Sequence, residues 1–274
     1  MSGYDLPRIE AVLRGARPGR RLEFLEEVGS TQDRAFLLAE HGAPDGSVVL
    51  AERQTAGRGR HGNSWDAPAG AGIWFSVVLR PPVVPPPEPG LLVAATVLAV
   101  AEGIEEAAGL VPGIRWPNDL VVGDRKVAGI LVETRDLAPE APLFVLGVGL
   151  NTHRARGEFP AEIREVATSV AAETGSAPDR TALLAAVLAA LDRWRGTLVA
   201  AGPAVVEAAF RARVAYLGRR VRLRCGEETL EGRLESASPV SGVFLRLDGG
   251  GWRAVRPEHA RDLRPVAAEG EEEE

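Results

Sequence analysis

Hydrophobic and polar positions change period several times along the chain, and each change marks an element. Residues 21–44, RLEFLEEVGSTQDRAFLLAEHGAP, read as a strand, a turn and a helix. Ser30 or Thr31 supplies the N-cap, Asp33 lies in the first turn, and Ala35, Phe36, Leu38 and Ala39 are apolar beyond it. Residues 46–53 (GSVVLAER) and 71–80 (AGIWFSVVLR) are apolar runs of strand length, with a glycine-rich loop between them. PPVVPPPEPG at 81–90 is a polyproline-like surface connection, and residues 91–109 predict a helix. Two short apolar runs, 120–122 and 125–133, are joined by Gly123-Asp124. With glycine first, that pair predicts a hairpin closed by a type II′ turn. Strict alternation on the second run places Lys126, Ala128, Ile130 and Val132 on one face. Residues 143–150 form a near-continuous apolar strand broken by Gly147 and Gly149. Glycines inside a strand mark a bulge or a close approach to the backbone.

Two further helices are predicted by PDRTALLAAVLAALDRWRGTLVAAG and AVVEAAFRARV. Beyond them the period becomes two. Val221, Leu223 and Cys225 face one way, Arg222 and Arg224 the other, and short strands recur to the end. The expected architecture is α+β: a mixed β-sheet packed with helices over residues 21–216, then a small all-β module over 217–266. Residues 1–20 are expected as an N-terminal arm, and 267–274 as a solvated acidic tail.

Composition narrows the function classes. Hydrophobic residues make up 45% and charged residues 26%, as in ordinary globular proteins. No apolar run reaches the roughly 18 residues of a membrane span, and no signal peptide is evident, so a cytoplasmic location is expected. The net charge is −6, of which the terminal EGEEEE accounts for five, leaving no basic footprint for nucleic acid. The single cysteine, Cys225, excludes an internal disulfide and a multi-cysteine zinc site. Of 32 lysines and arginines, Lys126 is the only lysine. The asparagines (Asn63, Asn118, Asn151) and glutamines (Gln32, Gln54) all fall between residues 32 and 151 with it. A GC-rich coding sequence accounts for the abundance of Arg, Ala, Gly and Pro. The persistence of rare residues in one stretch points to chemistry there.

Three stretches could carry that chemistry. In QTAGRGRHGNSW, Gly57, Gly59 and Gly62 free the backbone while Arg58 and Arg60 project guanidinium forks that match phosphate oxygens. It is neither a Walker loop nor a dinucleotide fingerprint, and a solvated loop is the competing reading. In RWPND, Asn118 and Asp119 follow Trp116-Pro117; they form a simple turn, or Asp119 holds a metal or orients Lys126. Lys126 itself is either a charge that guards a sheet edge or a point charge with an anionic partner, and Gly129 beside it would let a ligand approach. No metal-ligand set is fixed by any motif.

STQ at residues 30–32, QTAGRGRHGNSW, RWPNDLVVGDRKVAGILVE and VLGVGLN occur in this order and spacing. Together they closely resemble the biotin protein ligases, across residues 21–265. The resemblance implies a biotin/lipoate ligase-like catalytic domain followed by a small SH3-like β-barrel. It implies that biotin and Mg²⁺-ATP give biotinyl-5′-AMP, and that biotin then passes to a lysine of a biotin carboxyl carrier domain. By the same resemblance Ser30, Thr31, Gln32, Gln54, Gly57, Arg58, Gly59, Arg60, Lys126 and Gly129 bind biotin. Arg58, Arg60, Trp65, Asn118, Asp119, Lys126 and Asn151 attend ATP, and Lys126, Arg58 and Arg60 carry the catalysis. Gln32 departs from the family's commoner asparagine. The short N-terminal segment is expected to hold no DNA-binding domain, and an exposed sheet in this fold is compatible with a homodimer. Lipoate or octanoate ligation on the same fold, and a non-catalytic biotin-sensing module, are the alternatives.

Overall fold

A computed structural model describes residues 3–16, 19–80, 88–135 and 142–266. The elements in order are α1 (Leu6–Ala16), β1 (Leu22–Val28), α2 (Thr31–Glu40), β2 (Val48–Gln54), β3 (Gly72–Leu79), α3 (Pro89–Ala108), β4 (Gly113–Arg115), β5 (Asp119–Val122), β6 (Arg125–Arg135), β7 (Leu143–Asn151), α4 (Val170–Thr174), α5 (Arg180–Ala201) and α6 (Pro203–Ala212). Five strands follow: β8 (Arg220–Cys225), β9 (Glu228–Ser238), β10 (Gly242–Leu247), β11 (Trp252–Val255) and β12 (Ala260–Pro265). Most of the predicted elements are present. The proline stretch at 81–87 and the acidic tail lie outside the described residues.

The first seven strands form one mixed sheet in the order β1-β2-β3-β7-β6-β5-β4. Only β1 and β2 run parallel, because the chain crosses between them through α2; the other neighbours are antiparallel. Helices cover both faces. On one, α2 packs Ala35, Phe36 and Ala39 against Val49, Val78, Leu143 and Val145. On the other, α3, α5 and α6 share a larger core with β3, β6 and β7. Strands buried on both faces read as continuous apolar runs, which is why β3 is buried at every position. The N-terminal segment adds to this second layer. Its Ile9 and Leu13 are fully buried, and the Tyr4 hydroxyl donates to the Gly72 carbonyl at 3.2 Å.

The last five strands make an antiparallel sheet in the order β11-β10-β9-β8-β12. The expected alternation holds: Val221 and Leu223 are buried and Arg222 and Arg224 exposed. A closed barrel was expected, and here the structure differs. Among the described residues β11 and β12 pair only with β10 and β8. A 3₁₀ turn, Pro257–His259, separates them, and Pro257 has no N–H to give to a ladder. This open SH3-like sheet is fixed to the first. The Trp116 indole, 2% exposed, donates to the Ser238 carbonyl at 2.9 Å, and Gly90 at the start of α3 presses on the Pro239 carbonyl. No helix among the described residues is long and apolar enough to cross a membrane.

Two helical glycines give opposite expectations for one substitution. A Cβ on Gly103 in α3 would lie 2.4 Å from a Val187 methyl and 2.9 Å from the Val187 backbone N of α5. Gly196 in α5 faces open space. Gly196→Ala should therefore stabilise by roughly 0.5–1 kcal/mol, whereas Gly103→Ala should destabilise by about 1–3 kcal/mol through overpacking. Urea unfolding of both variants checks the difference in sign.

Candidate active site

The cleft lies where the start of α2, the end of β2 and the centre of β6 and β7 meet. Ser30 caps α2, its hydroxyl accepting from the Gln32 N–H at 3.3 Å. The Thr31 N–H and hydroxyl both donate to Gln54 Oε1, at 2.8 and 3.0 Å, so the helix start and the strand end hold each other. Gln32 is 3% exposed. Its Nε2 donates to Glu133 Oε2 at 2.9 Å, while its Oε1 is buried with no partner among the described residues.

The facing wall explains the strand glycines. A Cβ on Gly147 would lie 2.9 Å from the Gln32 amide, and one on Gly149 would lie 2.3 Å from the Trp65 indole. Gly129 is pressed in the same way, with Lys126 Nζ at 2.8 Å from a built Cβ. Three glycines thus make room for three large side chains, the close approach that glycine in a strand allows.

Lys126 is aimed by a β-bulge. In the β5–β6 hairpin Val121 pairs with Lys126 but Leu120 pairs with Ala128, leaving Val127 as an extra residue. The expected shared face of residues 126, 128, 130 and 132 is therefore wrong. Beyond the bulge Ala128 and Ile130 are buried, at 0% and 2% exposure, and Lys126 shares the cleft with Gly129, Leu131 and the edge of Ile130. Nor does Lys126 guard an edge, since β6 lies between β5 and β7. The predicted Gly123-Asp124 turn is present, with Gly123 at φ +58°. Residues 166–168 pin the backbone from outside: Lys126 N–H donates to the Val166 carbonyl at 2.8 Å, and Thr168 N–H to the Lys126 carbonyl at 2.9 Å.

The ammonium of Lys126 sits 2.7 Å from Asp119 Oδ1 and 5.0 Å from the centroid of a Trp65 ring. Arg115 donates to Asp119 Oδ2 at 2.9 Å. Burial alone would raise the Asp119 carboxyl, but the charges of Lys126 and Arg115 outweigh it and hold the group below its ordinary value.

The glycine loop closes over this centre. Arg58 forms a bidentate pair with Asp33, at 2.6 and 2.9 Å, and reaches Glu133 at 3.2 Å. Arg60 donates to Asn118 Oδ1 at 3.1 Å and to the Pro257 carbonyl at 2.5 Å. Gly59 lines the cleft. Gly57 is absent from its wall; a Cβ there would meet the Trp65 carbonyl at 2.6 Å.

The cleft and its mouth, open solvent included, take in about 450 Å³. A second cavity, about 560 Å³ with its open mouth included, adjoins it, walled by Asn151, Arg154, Phe159 and Arg115. Trp65 and Lys126 belong to both. Of these two cavities Asn118 lines only the first, with its Nδ2 on the Ile130 carbonyl at 2.7 Å; Asp119 is in the wall of neither and touches Lys126 behind it. Sequence reading missed Glu133, Arg115, Arg154, Asp66 and Phe159. Glu133 falls on the cleft face only if the bulge is known. Arg154 is 7% exposed, pairs with Asp66 at 2.6 Å and lies over the Phe159 ring, yet one more arginine in this chain carries no signal. No group of three or more His, Cys, Asp or Glu that could hold a metal occurs among the described residues.

This fold and cleft define a protein of the biotin and lipoate ligase class. Residues 25–151 match the biotin/lipoate A/B protein ligase family. The biotin–[acetyl-CoA-carboxylase] ligase of Mycobacterium tuberculosis is 39% identical over 218 residues, 76% of this chain and 77% of that protein. The enzyme of the same name from Paracoccus denitrificans is 35% identical over 251 residues, 89% of this chain and 97% of that one. Among solved structures, the biotin protein ligase from Aquifex aeolicus in complex with biotin and ATP matches with a TM-score of 0.75 and 29% identity, over 90% of this chain and 99% of that one. The chain belongs to the biotin/lipoate A/B protein ligase family, among its biotin protein ligases.

Removing the Asp119 carboxylate should be costly, because it leaves Lys126 and Arg115 facing each other in a largely buried site. Asp119→Ala should lose on the order of 3–5 kcal/mol in denaturant unfolding. The folded-state pKa of Asp119 is depressed, so its stabilisation is present above the unfolded value and lost as pH falls through the folded one. Wild-type stability should therefore drop more steeply below about pH 4 than that of Asp119→Asn.

Proposed function

We propose that this chain activates biotin with ATP as biotinyl-5′-AMP and transfers it to a lysine of the biotin carboxyl carrier domain of acetyl-CoA carboxylase or a related carboxylase. The observation that carries this reading is Lys126 at the junction of two cavities, in the wall of both. The first cavity suits the neutral ureido ring of biotin, which calls for amides and hydroxyls. Ser30, Thr31, Gln32 and Gln54 supply them, and Gln32 Oε1 is a buried acceptor ready for a ring N–H. The second cavity suits the nucleotide, with Trp65 and Phe159 as apolar walls and Asn151 as a polar group.

In the first step a biotin carboxylate oxygen attacks the α-phosphorus of ATP, the bond to the β-phosphate oxygen breaks, and pyrophosphate leaves. Two anions must meet. The Lys126 ammonium offsets their repulsion and the charge that develops between them. Asp119 holds it at the junction, and Arg58 and Arg60 on the closing loop add charge and keep water from the anhydride. In the second step the carrier amine attacks the biotinyl carbonyl. The C–O bond to AMP breaks, AMP leaves, and the amine gives up a proton as the amide forms. Mg²⁺ would enter on the phosphates of ATP, supplying charge neutralisation there, as it commonly does when no dedicated cage exists.

On this reading residues 21–216 are the catalytic domain and 217–266 the second module. The chemistry requires neither nucleic acid nor a second copy of the chain. Pyrophosphate exchange into ATP, with biotin, lipoate or octanoate supplied separately, tests it. Exchange is expected with biotin; exchange with lipoate but not biotin would overturn the reading, and tight biotin binding without any exchange would point to a sensing module. Lys126→Arg replaces a compact ammonium by a wider, planar group. Displacing the reacting atoms by about 1 Å should lower exchange by on the order of 10²-fold. Near-wild-type exchange in that variant would refute the role of Lys126.

A further inference from the structure

The glycine loop is tied to the second sheet at two points far away in sequence. Arg60 donates to the carbonyl of Pro257, and the His61 ring lies with Nε2 3.0 Å from the carbonyl of Ala260. A carbonyl only accepts, so His61 Nε2 must carry the proton. His61 is an exposed residue; the partial desolvation of its ring, together with the nearby charges of Arg60 and Arg261, moves the imidazole below its ordinary pKa and favours the neutral form.

His61 also sits in an uncommon backbone conformation. Its φ of +58° and ψ of +28° place it in the left-handed region, and it is one of two non-glycine residues with positive φ among those described. Gly62 next to it is free to adopt such angles, yet the chain spends a side chain there. A histidine held in that region by a bond to another module is an outlier that asks for a function. The post it grips is fixed. Trp116 and Gly90 seat the second sheet on the first, and Ala260, which follows the 3₁₀ turn Pro257–His259, belongs to that seated sheet. Arg60 lines the ligand cleft; His61 does not, so its bond to the second sheet is independent of direct ligand contact.

We propose that His61 is a positioning residue, whose Nε2–H bond to the Ala260 carbonyl latches the loop 57–65 onto the second sheet, so that the C-terminal module sets how long the adenylate is kept behind the loop. This rests on the functional reading above and gives the second module a part in that same site. The latch orders residues 57–65 before any ligand arrives, and release of the adenylate requires it to open.

Two amides separate the latch from simple backbone preference. Asparagine tolerates the left-handed region better than glutamine but is too short to reach Ala260; glutamine reaches but fits the backbone less well. His61→Asn and His61→Gln in the full chain are compared with wild type by two readouts. The first is amide hydrogen exchange of residues 57–65 without ligand. The second is the ratio of biotin attached to a bystander protein, such as serum albumin, to the rate of biotin-dependent pyrophosphate exchange. In His61→Asn both should rise by about fivefold, the effect of losing one net hydrogen bond, with the unfolding midpoint unchanged. His61→Gln should stay close to wild type in both. A loop in His61→Asn as protected as, or better protected than, in His61→Gln would overturn the latch. Wild-type protein showing no biotin-dependent exchange would overturn the functional reading instead, and the ligand-free amide exchange would still decide the latch.

Discussion

The ion pair between Asp119 and Lys126 is the constraint on which the site depends. Two residues seven positions apart are brought within 2.7 Å because β5 and β6 form a tight hairpin and a bulge at Val127 shifts the register between them. Without the extra residue the lysine would alternate with Ala128 and Ile130 and point into the core. An ammonium there would be uncompensated. With it, the charge emerges into the cleft with a carboxylate behind it, and Arg115 holds that carboxylate from the other side. A buried pair of this kind contributes little net stability against an apolar replacement. Its value is positional: it fixes a flexible four-carbon side chain at the one point where two cavities touch.

The surroundings are arranged around that point. Trp65 lies beside the ammonium in the wall of both cavities, edge-on to Trp74, and fits only because Gly149 and Gly129 have no side chain. The strand glycines therefore serve packing as much as ligand approach. Glu133 links the floor of the cleft to the loop above, bonding Gln32 on one side and Arg58 on the other. The loop in turn grips the second sheet through Arg60 and His61. A continuous set of polar contacts thus runs from the start of α2, through the cleft, to the C-terminal module.

Much of this was legible in the sequence, and the exceptions have physical reasons. Strand and helix positions followed from period, and the Gly123-Asp124 turn from its chemistry. The cleft residues Ser30, Thr31, Gln32, Gln54, Arg58, Arg60 and Lys126 were reached through the resemblance that the motifs carry, and the structure brings them together. The face of Lys126 was not legible, because a bulge is invisible to alternation and reverses every side chain beyond it. Glu133 was lost for the same reason. Arg154 and Arg115 were hidden by composition, since a buried arginine looks like any other in a chain that writes nearly all its positive charge as arginine. Closure of the second sheet could not be read because it depends on whether the last two strands meet. The turn at Pro257 keeps them apart among the described residues.

The central claim is that Lys126 reads the carboxylate of the acid as well as serving the nucleotide. Calorimetric titration of wild type and Lys126→Gln with biotin, and with biotinol, which carries a hydroxyl in place of the carboxylate, tests it directly. The account predicts that the substitution weakens biotin binding by about 10- to 100-fold, the usual range for a hydrogen bond to a charged group, and leaves biotinol binding nearly unchanged. Equal losses for the two ligands would contradict it.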